Sequence, residues 1–239
     1  MKRYLFALLA VTALALPARV VQAQDRAQDQ SLAARYAVRA LGVKVGEIAL
    51  SGALGPRRYT ASAQLRTTGL AGVVRRVHFL LSAGGARHGA RFAPERYDED
   101  MDTGRRQSQA SLRFAGGVAR VSGAGTGAVP PAQHRGAVDP LTALVMVLRD
   151  QPADGLCRVR QRVYDGERLS EVVLQERQAR NGQVVCSGRF RRLAGYTPEE
   201  MAERRQFDLR LTYAPVDGAM RAVRARVQTI YGPADLVRR

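Results

Sequence analysis

One stretch is helical and apolar almost all round, in a chain otherwise patterned for strands. Asp139 to Arg149 reads DPLTALVMVLR. Asp139 supplies an N-cap, Pro140 suits the first helical position, and Arg149 stands at the negative end of the helix dipole. Leu141, Leu144, Val145 and Leu148 recur at i, i+3, i+4 and i+7, while Ala143, Met146 and Val147 leave little polar surface. Such a helix is buried. At about 1.5 Å per residue it extends only ~16 Å, too short for a bilayer, so sheet has to cover it.

On both sides of this helix the apolar period is two. Before it, Tyr36 to Leu41 and Val45 to Ser51 form a hairpin across Gly42, followed by Arg58 to Leu65 and Val73 to Ser82. Arg87 to Ala93 leads into Pro94 and an acidic turn, and Gln109 to Phe114 and Val118 to Ser122 join across Gly116-Gly117. After it, Leu156 to Tyr164, Leu169 to Gln178 and Val184 to Arg191 are separated by Asp165-Gly166 and Asn181-Gly182, dipeptides that tolerate positive φ. Thr197 to Arg205 reads as a short capped surface helix. Phe207, Leu209, Leu211 and Tyr213, then Val223, Ala225, Val227, Thr229 and Tyr231, alternate with polar residues across a Pro215 to Gly218 turn. One buried face and one wet face mean an antiparallel sheet. The expected fold is mainly β: a curled antiparallel sheet or incomplete β-barrel of about eleven strands wrapped on one buried helix.

Met1 to Ala23 has the form of a signal peptide, with Lys2 and Arg3 before the apolar Leu5 to Leu16 and small residues at Val21-Gln22-Ala23. Cleavage before Gln24 is expected, then a frayed segment over residues 24–34 and a single β-rich domain over 35–239. No later apolar run reaches the length of a membrane span, so the expectation is a soluble chain, periplasmic or secreted. The formal charge of +17 falls by three on losing Lys2, Arg3 and Arg19. Only Lys2 and Lys44 are lysines; the remaining basic residues are arginines scattered over alternating positions. Export and the lack of a basic stripe with interleaved aromatics argue against nucleic acid. Weak attraction to anionic lipid head groups is compatible with the composition.

Cys157 and Cys186 are the only cysteines, and in an exported chain a disulfide is the default. In a plain three-strand meander the two would lie about 10 Å apart across the middle strand, beyond the ~7 Å that a bridge allows, so the bond requires strong curling or a loop that folds over. Asp98, Asp100 and Asp102 with Gly104 approach a calcium loop, but Thr103 and Gln109 depart from it, and a charged hairpin tip explains them as well. His78, His88 and His134 have no metal spacing. Neither a G-x-S-x-G nucleophile elbow nor a phosphate-binding glycine loop occurs, so the expectation is no enzyme, no metal and no cofactor.

Several stretches in order resemble an uncharacterised family of exported bacterial proteins, domain of unknown function 3108. They are Tyr36 with Gly42 and Val45-Gly46; Phe92-Ala-Pro94 to Tyr97; Asp139-Pro140-Leu141 to Leu148-Arg149; Val163-Tyr164-Asp165-Gly166; Cys186-Ser-Gly188-Arg189-Phe190 to Gly195-Tyr196; and the closing Pro215 to Gly232 pair. The resemblance implies an exported β-rich domain and carries no catalytic residues. The expected architecture also looks like periplasmic lipoprotein-carrier half-barrels. Together these lead to two expectations. In the first, a lipid or other hydrophobic ligand binds between helix and sheet, against Leu144, Val145, Leu148, Phe207, Leu209, Leu211 and Val227. In the second, the same residues are simply core, and the chain is a non-enzymatic structural or interaction protein with envelope proteins as partners.

Overall fold

The computed structural model describes residues 30–67, 77–102, 107–123 and 129–239. The expected signal peptide, residues 1–23, lies outside them, as do residues 24–29 of the segment expected to fray. Paired positive-φ residues punctuate the chain into tight hairpins at Leu41-Gly42, Gly116-Gly117, Asn181-Gly182 and Asp217-Gly218. Positive φ at both central positions matches the right-handed twist of the flanking strands.

Seven strands precede the helices: β1 (Gln30–Ala40), β2 (Val43–Leu54), β3 (Arg58–Thr67), β4 (His78–His88), β5 (Arg91–Asp102), β6 (Gln107–Ala115) and β7 (Val118–Gly123). Helices α1 (Pro131–His134) and α2 (Pro140–Leu148) follow, with a 3-10 turn at Ala153–Gly155. Then come β8 (Val159–Tyr164), β9 (Leu169–Arg180), β10 (Gln183–Ala194), α3 (Pro198–Glu203), β11 (Gln206–Val216), β12 (Ala219–Thr229) and β13 (Gly232–Arg238). All thirteen join one sheet in the order β7-β6-β5-β4-β3-β2-β1-β13-β12-β11-β10-β9-β8. The fold is therefore two antiparallel meanders joined where β1 pairs with β13, Tyr36 opposite Arg238.

The outermost strands β7 and β8 do not pair with each other. The segment around α1 lies between them: the Gly136 N–H donates to Gly117 O on one side, and Val138 exchanges hydrogen bonds with Arg162 and Tyr164 on the other. Arg162 also donates to the Gln133 and Arg135 carbonyls at 2.7 and 2.6 Å, and the buried His134 ring stacks on Tyr164 at 4.2 Å. Covering two free edges in this way removes a template for edge-to-edge association.

Five tyrosines, at 36, 59, 97, 164 and 213, are the largest fully buried side chains. Each hydroxyl has a hydrogen-bond partner, as burial of an O–H demands: Ala222 O, Thr142 Oγ1, Glu99 Oε2, Gly166 O and Val147 O respectively.

The structure corrects the sequence reading at several points. Among the described residues there are thirteen strands rather than about eleven. β13 was hidden because Gly232-Pro233 reads as a terminator, yet a proline is tolerated near the start of a strand. β5 runs through Pro94, which sits opposite Gly85 beside a register shift, so the acidic residues 98–102 are strand rather than turn. Asp98 there accepts from Ser111 Oγ and Arg113, and no group of acids, histidines or cysteines among the described residues could hold a metal ion. β1 starts at Gln30, within the segment expected to fray, because Leu32 and Ala34 already face the core opposite β2. Among the described residues the helices number three, although only α2 is long and buried. Cys157 and Cys186 are bridged with Cα atoms 5.0 Å apart. The meander geometry that disfavoured this pairing does not apply, because β8 begins at Val159 and Cys157 lies in the preceding loop, turned back by a left-handed φ of 62°.

Candidate functional site

Helix α2 packs against β3, β4 and β5 of the first meander and also against β8 and β12 of the second. The buried Asp139 carboxylate accepts from Thr142 N at 2.8 Å and from Thr142 Oγ1 at 2.6 Å, and Thr142 Oγ1 is also 2.6 Å from Tyr59 Oη. This chain of bonds ties the N-terminus of the helix to β3. Burial pushes the Asp139 pKa up to about 6, against the opposing pull of its hydrogen bonds to Thr142. At the other end Tyr213 Oη donates to Val147 O, Gln151 pairs with Met220, and Arg221 makes a bidentate bond to Asp150. Buried Arg149 lies over the Phe92 ring at 5.7 Å; desolvation and the neighbouring Arg87 guanidinium push its pKa down.

With its start tied to β3 and its end to β11 and β12, the helix leaves an apolar pocket of about 430 Å³ between its remaining side and β10 to β13. That volume lies within the range of small-molecule sites. Pro140, Ala143, Leu144, Val147 and Leu148 form the helix wall. Phe190, Leu209, Leu211, Val227 and Leu236 come from the sheet, with Ala225 and Ala234 between them. Alanines at those two floor positions leave space that larger side chains would occupy. The polar residues at the wall, Arg226 and Asp235, are bonded to each other at 2.8 Å. Asp235 lies between Ala234 and Leu236, so the pleat turns its carboxylate to the sheet's other face, where Arg226 and Arg224 hold its pKa down at about 2. What the pocket offers a ligand is apolar contact.

Of the residues singled out from the sequence, the structure brings five together on this wall: Leu144, Leu148, Leu209, Leu211 and Val227. Val145 is fully buried in the core and is absent from the wall. Phe207 lies beyond the pocket, its ring 6.0 Å from Phe190 and under the Arg192 and Arg204 guanidiniums. Phe190 and Leu236 were missed. Counting register outwards from the Asn181-Gly182 turn would have placed Phe190 on the inner face, whereas Leu236 belongs to the strand that was not recognised.

Residues 35–237 match a family described as Protein of unknown function (DUF3108). The chain belongs to that family. No curated protein matches this DUF3108 chain. Among solved structures, a beta-barrel-like protein of domain of unknown function DUF1849 from Brucella abortus matches 87% of this chain and 95% of its own, at 10% identity and a TM-score of 0.48. No helix of the described residues is long and apolar enough to cross a membrane.

Proposed function

We propose that this DUF3108 protein is exported and binds a lipid or another hydrophobic ligand, without catalysis, in the pocket between α2 and the sheet. The observation that carries this reading is the partly open apolar pocket of about 430 Å³ between α2 and the sheet. The signal-like residues 1–23 and the Cys157–Cys186 bridge support export. The ligand's apolar part lies along Leu144 and Leu148 on one side and Leu209 and Leu211 on the other. Binding removes apolar surface from water on both partners, at about 25 cal/mol per Å².

An uncharged, environment-sensitive apolar dye should bind the folded protein saturably at one site. Leu144→Arg places a charge on the helix wall and Ala225→Leu fills the floor. Each should weaken dye binding at least tenfold, while circular dichroism and the melting curve stay those of the parent. Leu144 is only partly buried, which leaves an introduced guanidinium a route to water. Non-saturable dye binding, or unchanged affinity in both variants, would leave the pocket as packing space and favour an interaction protein of the envelope. Mass spectrometry of protein purified under mild conditions from its native compartment should show a stoichiometric lipid.

A further inference from the structure

The opposite face of the same strands carries a second concavity, of about 810 Å³, over β8 to β12. Its lining includes five arginines, at 160, 189, 191, 210 and 226, and two acids, Glu176 and Asp208. Three of the guanidiniums are held in place by carboxylates with little exposure. Glu171 accepts from both Arg160 and Arg191 at 3.1 Å, and Asp235 accepts from Arg226 at 2.8 Å. Between them stand Arg189 and Arg210, both exposed, with no ion pair or side-chain hydrogen bond among the described residues. Arg210 is directly opposite Arg226 in the β11–β12 register. Like charges facing each other across an antiparallel pair are destabilising, and an anion seated between them removes that cost.

We infer that this cleft is a binding site for a phosphate group carrying two or more negative charges. Arg189 and Arg210 are the free forks that grip it, and Arg160, Arg191 and Arg226 form a fixed cationic surround. Phosphate fits better than a single carboxylate because it offers acceptors to two forks at once, and guanidinium geometry matches it in a bidentate way. The site lies on the face away from the apolar pocket and stands or falls independently of it.

The test is calorimetric titration with inorganic pyrophosphate at about 0.15 M salt, where long-range attraction to a basic protein is largely screened. Pyrophosphate should bind saturably at one site. The pair Arg189→Gln with Arg210→Gln should lose at least tenfold in affinity, and Arg210→Lys, which keeps the charge but not the fork, should lose less. Arg57→Gln with Arg120→Gln removes the same charge at exposed positions outside the cleft and should leave affinity unchanged. Absence of saturable binding, or equal losses in the two pairs, would overturn the proposal. Flotation with vesicles containing phosphatidic acid, whose phosphomonoester head group can carry two negative charges, identifies the source. Vesicle binding that needs Arg189 and Arg210 and yields to pyrophosphate marks a lipid head group. Pyrophosphate binding without vesicle binding marks a soluble phosphate compound.

Discussion

Replacing Cys157 and Cys186 together by serine should lower the unfolding free energy by about 3 to 4 kcal/mol, the chain-entropy value for a loop of this size. The two residues are 29 apart in sequence, and the bond fastens the loop after α2 to the inner face of β10. Both sulfurs are buried, so serine adds a desolvation cost at each hydroxyl. Chemical denaturation of the oxidised protein, the reduced protein and the double variant measures the difference, and a loss under about 1 kcal/mol would contradict the argument. A second double variant, Cys157→Gly with Cys186→Ala, separates strain from cross-linking. Position 157 has a left-handed φ of 62°, which glycine adopts without penalty, so this pair should recover roughly 1 kcal/mol relative to the serine pair.

Asp139 sets the other large effect, a pH dependence opposite to that of most carboxylates. Its ordinary pKa of 3.8 is raised to about 6 in the folded state. Between these values the folded chain holds a proton that the unfolded chain has released, so stability falls as pH rises. The stabilisation is fully present below about pH 4 and is lost as pH passes 6, and the two-unit shift corresponds to roughly 3 kcal/mol. Asp235 behaves in the reverse sense. Its depressed pKa adds stability that is complete above about pH 5 and lost as pH falls towards 2, so it contributes little slope between pH 5 and 6. Asp139→Asn keeps an N-cap acceptor for Thr142 N and should flatten the dependence across that window. Asp139→Ala should also flatten it, but at a stability lower by about 1 to 3 kcal/mol, because the cap is lost and the buried Thr142 amide and hydroxyl lose their acceptor. Denaturation midpoints from pH 4 to 7 decide this. A slope in the asparagine variant equal to the parent's would show that Asp139 is not its origin.

Local chemistry made much of this architecture legible. Asp139-Pro140 started α2 at the expected position and Arg149 closed it, because capping and dipole signals act within a single turn. Asn181-Gly182 and Gly116-Gly117 turned the chain where positive φ is needed. What depended on remote partners was not legible. Pro94 stays in a strand only because β4 shifts register beside it, and β13 is a strand because β1 and β12 flank it. The pocket shows the same division. Strand alternation put Leu209, Leu211 and Val227 on the inner face. A helix apolar all round could not say that Leu144 faces the pocket while Val145 faces away. Nor does alternation distinguish Phe207 from Leu209, since both lie on the same face of β11. The cleft's arginines looked scattered because their proximity is created by register across β10, β11 and β12.

The pairing of β1 with β13 also orders the assembly of the molecule in time. Every other pair of hydrogen-bonded strands is consecutive in sequence, whereas Arg238 and the Tyr36 hydroxyl it reaches are 202 residues apart. Loop-closure entropy makes so distant a contact slow to form. Each wing can zip up from its own turns, but the two remain separate, with the edges of β1 and β12 bare, until Gly232–Arg238 arrives between them. Synthesis makes this strand after the other twelve. During synthesis, the half-built sheet therefore has to be kept from pairing with other chains until its central strand is in place.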